Sequence, residues 1–152
     1  MSQQTDTVNI WLKELASLAA IDDLSLNNQG VCALRFGDRV EIVFEIPEQS
    51  EVLHLYCPVC EVPTEEQASF FQRLLEWNMF GLETRGASFA IDRESNRVML
   101  CYSIPIAGTD ILEFQNTVGN FAEVCERFCN ELSAEPANFP VDDMSQMNFL
   151  RG

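Results

Sequence analysis

Basic residues are scarce in this 152-residue chain: nine Lys and Arg stand against 24 Asp and Glu, a net charge of −15. A surface so poor in cations repels phosphate backbones and argues against nucleic acid as a partner. Histidine is nearly missing. His54 alternates with Leu53 and Leu55 in a strand pattern and reads as structural. No apolar run approaches the ~18 residues of a membrane span. The opening MSQQTDTVNIWLKELASLAA lacks the basic flank of a signal peptide. The expectation is a cytoplasmic protein with no membrane partner. There is no GxSxG, no Walker loop and no paired glycine motif. Asp22-Asp23 and Glu65-Glu66 read as helix-end and solvated acids rather than an acid/base pair. No constellation supports catalysis, so no enzyme and no cofactor is expected.

Apolar residues are abundant, 47% of the chain with eleven Phe. One domain of this size buries a core without a metal or a disulfide. Val8, Trp11, Leu12, Leu15, Leu18 and Ala19 recur at helical spacing and predict a helix over about 6–20. VCALRF and RVEIVFEI follow the NNQG turn and meet across Gly37-Asp38, a two-residue hairpin signal. In the second strand Val40, Ile42, Phe44 and Ile46 share one face, with Glu41 and Glu45 on the other. VLHLYCPV is a third strand. Thr64 and Gln67 form a capping-box pattern ahead of a helix whose apolar face is Phe70, Phe71, Leu74, Leu75 and Trp77. ASFAID and RVMLCYSIP are strands around RESN. Phe114, Val118, Phe121, Cys125, Phe128 and Leu132 mark a closing helix from about Asp110 to Leu132. The fold class expected is α+β: a single domain in the order α-β-β-β-α-β-β-α, with three helices on a twisted five-stranded antiparallel sheet. The domain spans 1–132, and 133–152 is a mobile or draped tail.

Cys57-Pro58-Val59-Cys60 raises two chemical readings. A redox dithiol needs its attacking Cys at a helix N-terminus, and here the expected cap comes four residues after Cys60. Zinc would need Cys57 and Cys60 joined by two further ligands, and Cys125 and Cys129 share a helix side. Cys125 lies in an apolar stripe, however, and Cys57 shares a strand face with Leu53 and Leu55. The six cysteines read as reduced, mostly buried small hydrophobes, and no metal is expected.

Three stretches carry a resemblance: WLKELASLAAIDDLSLNNQGVCALRF, VLHLYCPVCEVP and FFQRLLEWNMFGLETRGASFAIDRESNRVMLCYSIP. The last contains Asn78, Thr84, Gly86 and Asp92 at the spacing N-x5-T-x-G-x5-D, and FAEVCERFCNEL closes the order. Over roughly Val8 to Leu132 the chain resembles the class I chaperones of bacterial type III secretion, the Tir-chaperone family. The long tail and the cysteines depart from the family pattern.

The resemblance implies an acidic, non-catalytic homodimer. It would hold a secreted effector's N-terminal chaperone-binding segment in extended form and present it to the secretion ATPase. Dimer contacts are expected at Phe70, Phe71, Leu74, Leu75, Trp77, Met79 and Phe80, which cover more of a helix than one core face needs. Client contacts are expected at Trp11, Leu12, Leu15 and Leu18 of the first helix, with Trp11 half-buried at a groove edge. The strands would add Val31, Ala33, Val40, Ile42 and Phe44, with the short first strand as an open edge. Two alternatives stand beside this reading: a same-fold adaptor or sensor outside secretion, and a thiol or zinc protein using Cys57 and Cys60.

Overall fold

The computed structural model describes residues 2–133 and the backbone of residues 148–150. Its elements are α1 (Gln3–Leu18), β1 (Val31–Phe36), β2 (Val40–Glu45), β3 (Val52–Glu61), α2 (Gln67–Asn78), β4 (Ser88–Asp92), β5 (Arg97–Pro105), α3 (Ile111–Leu132) and β6 (Asn148–Leu150). The expected α-β-β-β-α-β-β-α order is present. The sheet runs β4-β5-β3-β2-β1-β6. Its first five strands pair antiparallel. The sixth, which falls in the segment expected to be a tail, pairs in parallel with β1. The rest of that expectation, over 134–147 and 151–152, lies outside the described residues.

Local chemistry sets the boundaries. Helix α1 starts earlier than periodicity suggests because the Ser2 hydroxyl accepts from the Thr5 N–H at 3.2 Å, an N-cap that extends the helix backwards. The β1–β2 hairpin pairs Phe36 with Val40, so three residues, Gly37 to Arg39, form the turn instead of two. Gly37 takes φ +64, a left-handed conformation that glycine adopts without steric cost. Thr64 does not cap α2: the helix begins behind Glu66, which sits at φ 53. The Gln67 amide does reach back, but to the Pro63 carbonyl at 2.8 Å. A true capping box opens α3, where Asp110 and Glu113 exchange side-chain and backbone bonds.

The core lies between one sheet face and the helices. Leu34, Ile42, Phe44, Leu53, Leu55, Cys57, Phe89 and Leu100 point inward and are buried. They meet Phe114, Val118, Phe121, Cys125 and Phe128 of α3, all buried. Helix α1 reaches this layer through Trp11, which stacks on Phe114. Helix α2 reaches it through Trp77, 5.0 Å from Phe128 and 5.7 Å from Phe89. Strand β3 continues through Pro58 to Glu61 by way of a bulge between Pro58 and Cys60. Its ladder with β2 ends at Tyr56, so the missing N–H of Pro58 costs no bond on that side.

Candidate functional site

Among the described residues, three surfaces gather exposed or half-buried apolar side chains. The first is the outer face of the sheet. By the two-residue period of a strand, Val31, Ala33, Glu41, Val43, Glu45, His54, Tyr56, Met99 and Cys101 point away from the helices, and all are half-buried. No helix among the described residues covers them. The face mixes aliphatic surface with acids. The Tyr56 hydroxyl donates to Glu45 at 2.8 Å, and burial together with that carboxylate pushes the phenol well up from its ordinary value. His54 and Ser103 are 3.0 Å apart on the same face.

The second surface is the end of α2 and the turn after it. Leu75, Met79, Phe80 and Leu82 are exposed, Phe80 at 81%. Phe80 also sits at φ 59, a left-handed conformation that is costly for an aromatic residue. Gly81 and Gly86 approach so closely that a Cβ on Gly81 would lie 2.9 Å from the Gly86 Cα. The turn therefore holds Phe80 outward on a rigid frame. Asn78 reinforces it: its side chain donates to the Phe89 carbonyl at 3.2 Å and accepts from the Phe89 N–H at 2.7 Å. The buried Thr84 hydroxyl donates to the Ala87 carbonyl. Asp92 closes the β4–β5 turn by accepting from Ser95 Oγ at 2.6 Å. Hydrogen bonds from Ser95, with the backbone behind them, hold its carboxyl below the usual range. The four spaced residues Asn78, Thr84, Gly86 and Asp92 thus build the connection between α2 and β5.

The third surface is on α1. Ile10 and Leu18 are exposed at 61% and 70%; Ile10 lies off the Val8–Trp11–Leu15 stripe, and Leu18 is the last residue of the helix, where the stripe runs out.

Most of the residues expected to contact a client lie in the core instead. Trp11 is 4% exposed, and Leu12, Leu15, Val40, Ile42 and Phe44 are also buried. They are core residues of this structure. The reason is the aromatic stack: α3 offers Phe114 directly beneath Trp11, which draws the indole inward instead of leaving it at a rim. Leu18, Val31 and Ala33 keep accessible surface. Of the expected dimer contacts, Leu74 is buried and Trp77 is turned into the core. Phe70 and Phe71 are half-buried, and Leu75, Met79 and Phe80 are exposed. Sequence reading missed Ile10, Leu82 and the outer-face group Val43, Tyr56 and Met99. Ile10 had a signal, as an apolar residue off the helical stripe. The outer-face group had only its period.

The fold brings Cys57 of β3 against Cys125 and Cys129 of α3. Cys129 Sγ lies 3.7 Å from the Pro58 carbonyl. Burial, then contact with Cys125, pushes the Cys57 thiol up, and contact with Cys57 does the same for Cys129. Burial raises Cys60 to about 11. Thiols held protonated are poor nucleophiles and poor metal ligands. Among the described residues no group of three or more His, Cys, Asp or Glu is placed to hold a metal ion.

A profile of the Tir chaperone protein (CesT) family matches residues 11–128. Among solved structures, a chain of the ExsC–ExsE complex is 25% identical at a TM-score of 0.74, covering 88% of this chain and 98% of that one. A chain of the HopA1–SchA chaperone–effector complex matches at 15% identity and a TM-score of 0.70, over 86% of this chain and 98% of that one. A chain of the heterodimeric ExoU–SpcU complex from the type III secretion system of Pseudomonas aeruginosa matches at 18% identity and a TM-score of 0.61, over 81% and 95%. The last two likenesses show a shared fold. No curated protein sequence matches this chain.

Proposed function

We infer the function from kinship: the chain belongs to the Tir chaperone protein (CesT) family, and it serves as a type III secretion chaperone that binds a secreted effector. The effector's N-terminal segment lies extended on the protomer, and the chain does no chemistry on it. The observation that carries this reading is the division of the sheet. One face is sealed by three helices, while the other presents half-buried Val31, Ala33, Val43, Tyr56 and Met99 among acids, with no helix over it among the described residues. An extended segment suits such a surface, because alternate side chains find apolar contacts and its backbone finds a strand edge. Ile10 and Leu18 add anchors on α1. The acidic surface favours a basic or amphipathic segment and keeps the apolar patches soluble.

A second copy of the chain covers Leu75, Met79, Phe80 and Leu82. Four exposed large apolar side chains in one neighbourhood, one of them in a strained conformation, suit a self-complementary contact of a two-fold dimer. The dimer resides in the bacterial cytoplasm and passes its client to the secretion ATPase, which spends the ATP. Neither a membrane nor nucleic acid takes part. No helix of the described residues is long and apolar enough to cross a membrane.

The test begins with the protein that co-purifies from the source bacterium, identified by mass spectrometry. A synthetic peptide of that protein's N-terminal segment is then titrated into the pure chain by calorimetry. Saturable binding with protection of the peptide from protease, and no gain of helix by circular dichroism, supports the reading. Binding only through a folded domain of the partner overturns it in favour of an adaptor outside secretion.

A further inference from the structure

The β1 edge is not empty. Asn148, Phe149 and Leu150 lie in parallel register with Leu34, Arg35 and Phe36. The direction of the β1 backbone groups follows from Val31. Its N–H donates to Asn27 Oδ1 at 3.1 Å and its carbonyl accepts from the Asn27 N–H at 2.9 Å, both on the side away from β2. The strand period then turns the N–H and C=O of Ala33 and Arg35 to the same edge. With Phe149 opposite Arg35, a parallel ladder sets the Arg35 N–H toward the Asn148 carbonyl and the Leu150 N–H toward the Arg35 carbonyl. Asn27 closes the upper end of the edge, so Ala33 to Phe36 is the stretch that can accept a strand, and the chain itself fills it.

We propose that Asn148–Leu150 is a resident strand on the β1 edge and that an extended client segment must displace it to pair there. The client half of this statement rests on the function proposed above; the occupancy of the edge does not. One row of backbone donors and acceptors holds one strand at a time. About fifteen residues separate α3 from β6 in sequence, and because strand and edge belong to one chain, they meet at an effective concentration far above that of a free peptide. Three paired residues make a weak closure, and that suits an exchangeable occupant. If the strand is seated nine-tenths of the time, a client competing for the edge binds about tenfold more weakly than it would to an open edge. Until a client arrives, the seated strand also blocks edge-to-edge association of free copies.

The experiment uses the full chain and a Leu150→Pro variant, which removes the N–H facing the Arg35 carbonyl. Circular dichroism serves as the folding control. Hydrogen exchange followed by NMR reads the Ala33 and Arg35 amides directly. Slow exchange at Arg35 in the wild type and at least tenfold faster exchange in Leu150→Pro is expected; equal rates in both overturn the resident strand. A synthetic peptide of residues 141–152 should bind Leu150→Pro at least threefold more tightly than the wild type, and equal affinity overturns the proposal. The N-terminal segment of the co-purifying protein provides the last arm. Tighter binding to the variant supports displacement. Equal binding to both shows that the client avoids this edge, and that outcome rejects the displacement while leaving the chaperone reading intact. A segment that binds neither protein counts against the chaperone reading and leaves the exchange and peptide results to decide the resident strand.

Discussion

Trp11 of α1 stacks on Phe114 of α3, with ring centroids 5.1 Å apart and planes at 25°. Phe44 of β2 sits 6.1 Å from the same Phe114. These three rings join α1, α3 and the sheet, so the indole is a structural rivet. Trp11→Ala is expected to cost about 3–5 kcal/mol of stability, the range for deleting a large aromatic from a core. Urea denaturation measures it. A loss under 1 kcal/mol would mean that the stack does not form in solution.

The exposed apolar residues of the same helix should behave in the opposite way. Ile10→Asp with Leu18→Asp leaves the stripe of Val8, Trp11 and Leu15 untouched, so folding should change by less than about 1 kcal/mol. Binding of the client segment should weaken by roughly 1–3 kcal/mol, as expected when apolar anchors are lost. Calorimetry on the double variant, with a thermal melt as control, makes the comparison. Unchanged affinity would confine the client to the sheet.

At the end of α2, Leu75→Asp with Phe80→Asp puts charge into the face assigned to a second copy. Light scattering at micromolar concentration should report a dimer for the wild type and a monomer for the variant. Phe80→Gly separates the two roles of this residue. It relieves a left-handed aromatic, which should stabilise the protomer by roughly 1 kcal/mol, while the lost side chain weakens the dimer. A wild-type chain that is already monomeric would remove the dimer from the account.

The order of the first eight elements was legible in the sequence because each carries its own period, and alternation put Val40, Ile42 and Phe44 on one face without saying whether that face meets the core or a client. The site was less legible. Periodicity says that Trp11 belongs to an apolar stripe, but whether a stripe ends at a rim or beneath another ring depends on which residue of α3 arrives there. That is a long-range contact without a local trace. Leu75 and Leu74 look alike in sequence, yet one is 68% exposed and the other 5%, because only Leu74 faces the sheet. The three residues of β6 carry no pattern long enough to mark a strand, and only the partner edge of β1 defines them. Thr64 shows the reverse error, a correct local motif that lost to the left-handed Glu66 two residues later.

The spaced residues of the α2–β5 connection allow a graded test. Asn78→Ala leaves both backbone groups of Phe89 without the bonds at 3.2 and 2.7 Å. Part-buried unpaired groups of this kind cost about 1–3 kcal/mol each. Asn78→Asp keeps the acceptor and loses the donor, so it should fall between Ala and the wild type. Gly86→Ala forces a side chain onto φ +90 with its Cβ 3.2 Å from the Tyr102 ring and should cost on the order of 1–2 kcal/mol. Chemical denaturation ranks the three. Asn78→Asp equal to Asn78→Ala would mean that the donated bond to the Phe89 carbonyl matters as much as the pair.

The thiols give the pH dependence. Burial raises Cys32 and Cys60 from 9.0 to about 11 and raises Cys57 and Cys101 in the same direction; contact with Cys57, then burial, raises Cys129. A thiol is neutral when protonated. Below pH about 9 both folded and unfolded chains keep the proton, and this contribution to stability is fully present. As pH rises from about 9 to 11 the unfolded chain releases protons that the folded chain retains, so stability falls through that window. Urea unfolding at pH 8, 9.5 and 10.5 should show a midpoint that drops steadily. Tyr56, also raised, adds to the fall at the upper end. A Cys32→Ala, Cys60→Ala double variant separates the sources, because it should make the drop shallower while leaving the parts that come from Cys57, Cys101, Cys129 and Tyr56. The same series tests the metal reading of Cys57-Pro58-Val59-Cys60. Zinc would hold its cysteines as thiolates, and a chelator at pH 7.5 would then lower the melting temperature; with protonated thiols, EDTA should leave it unchanged. A midpoint that stays flat to pH 10.5, together with a chelator-sensitive melt, would overturn the protonated core and return these cysteines to metal chemistry.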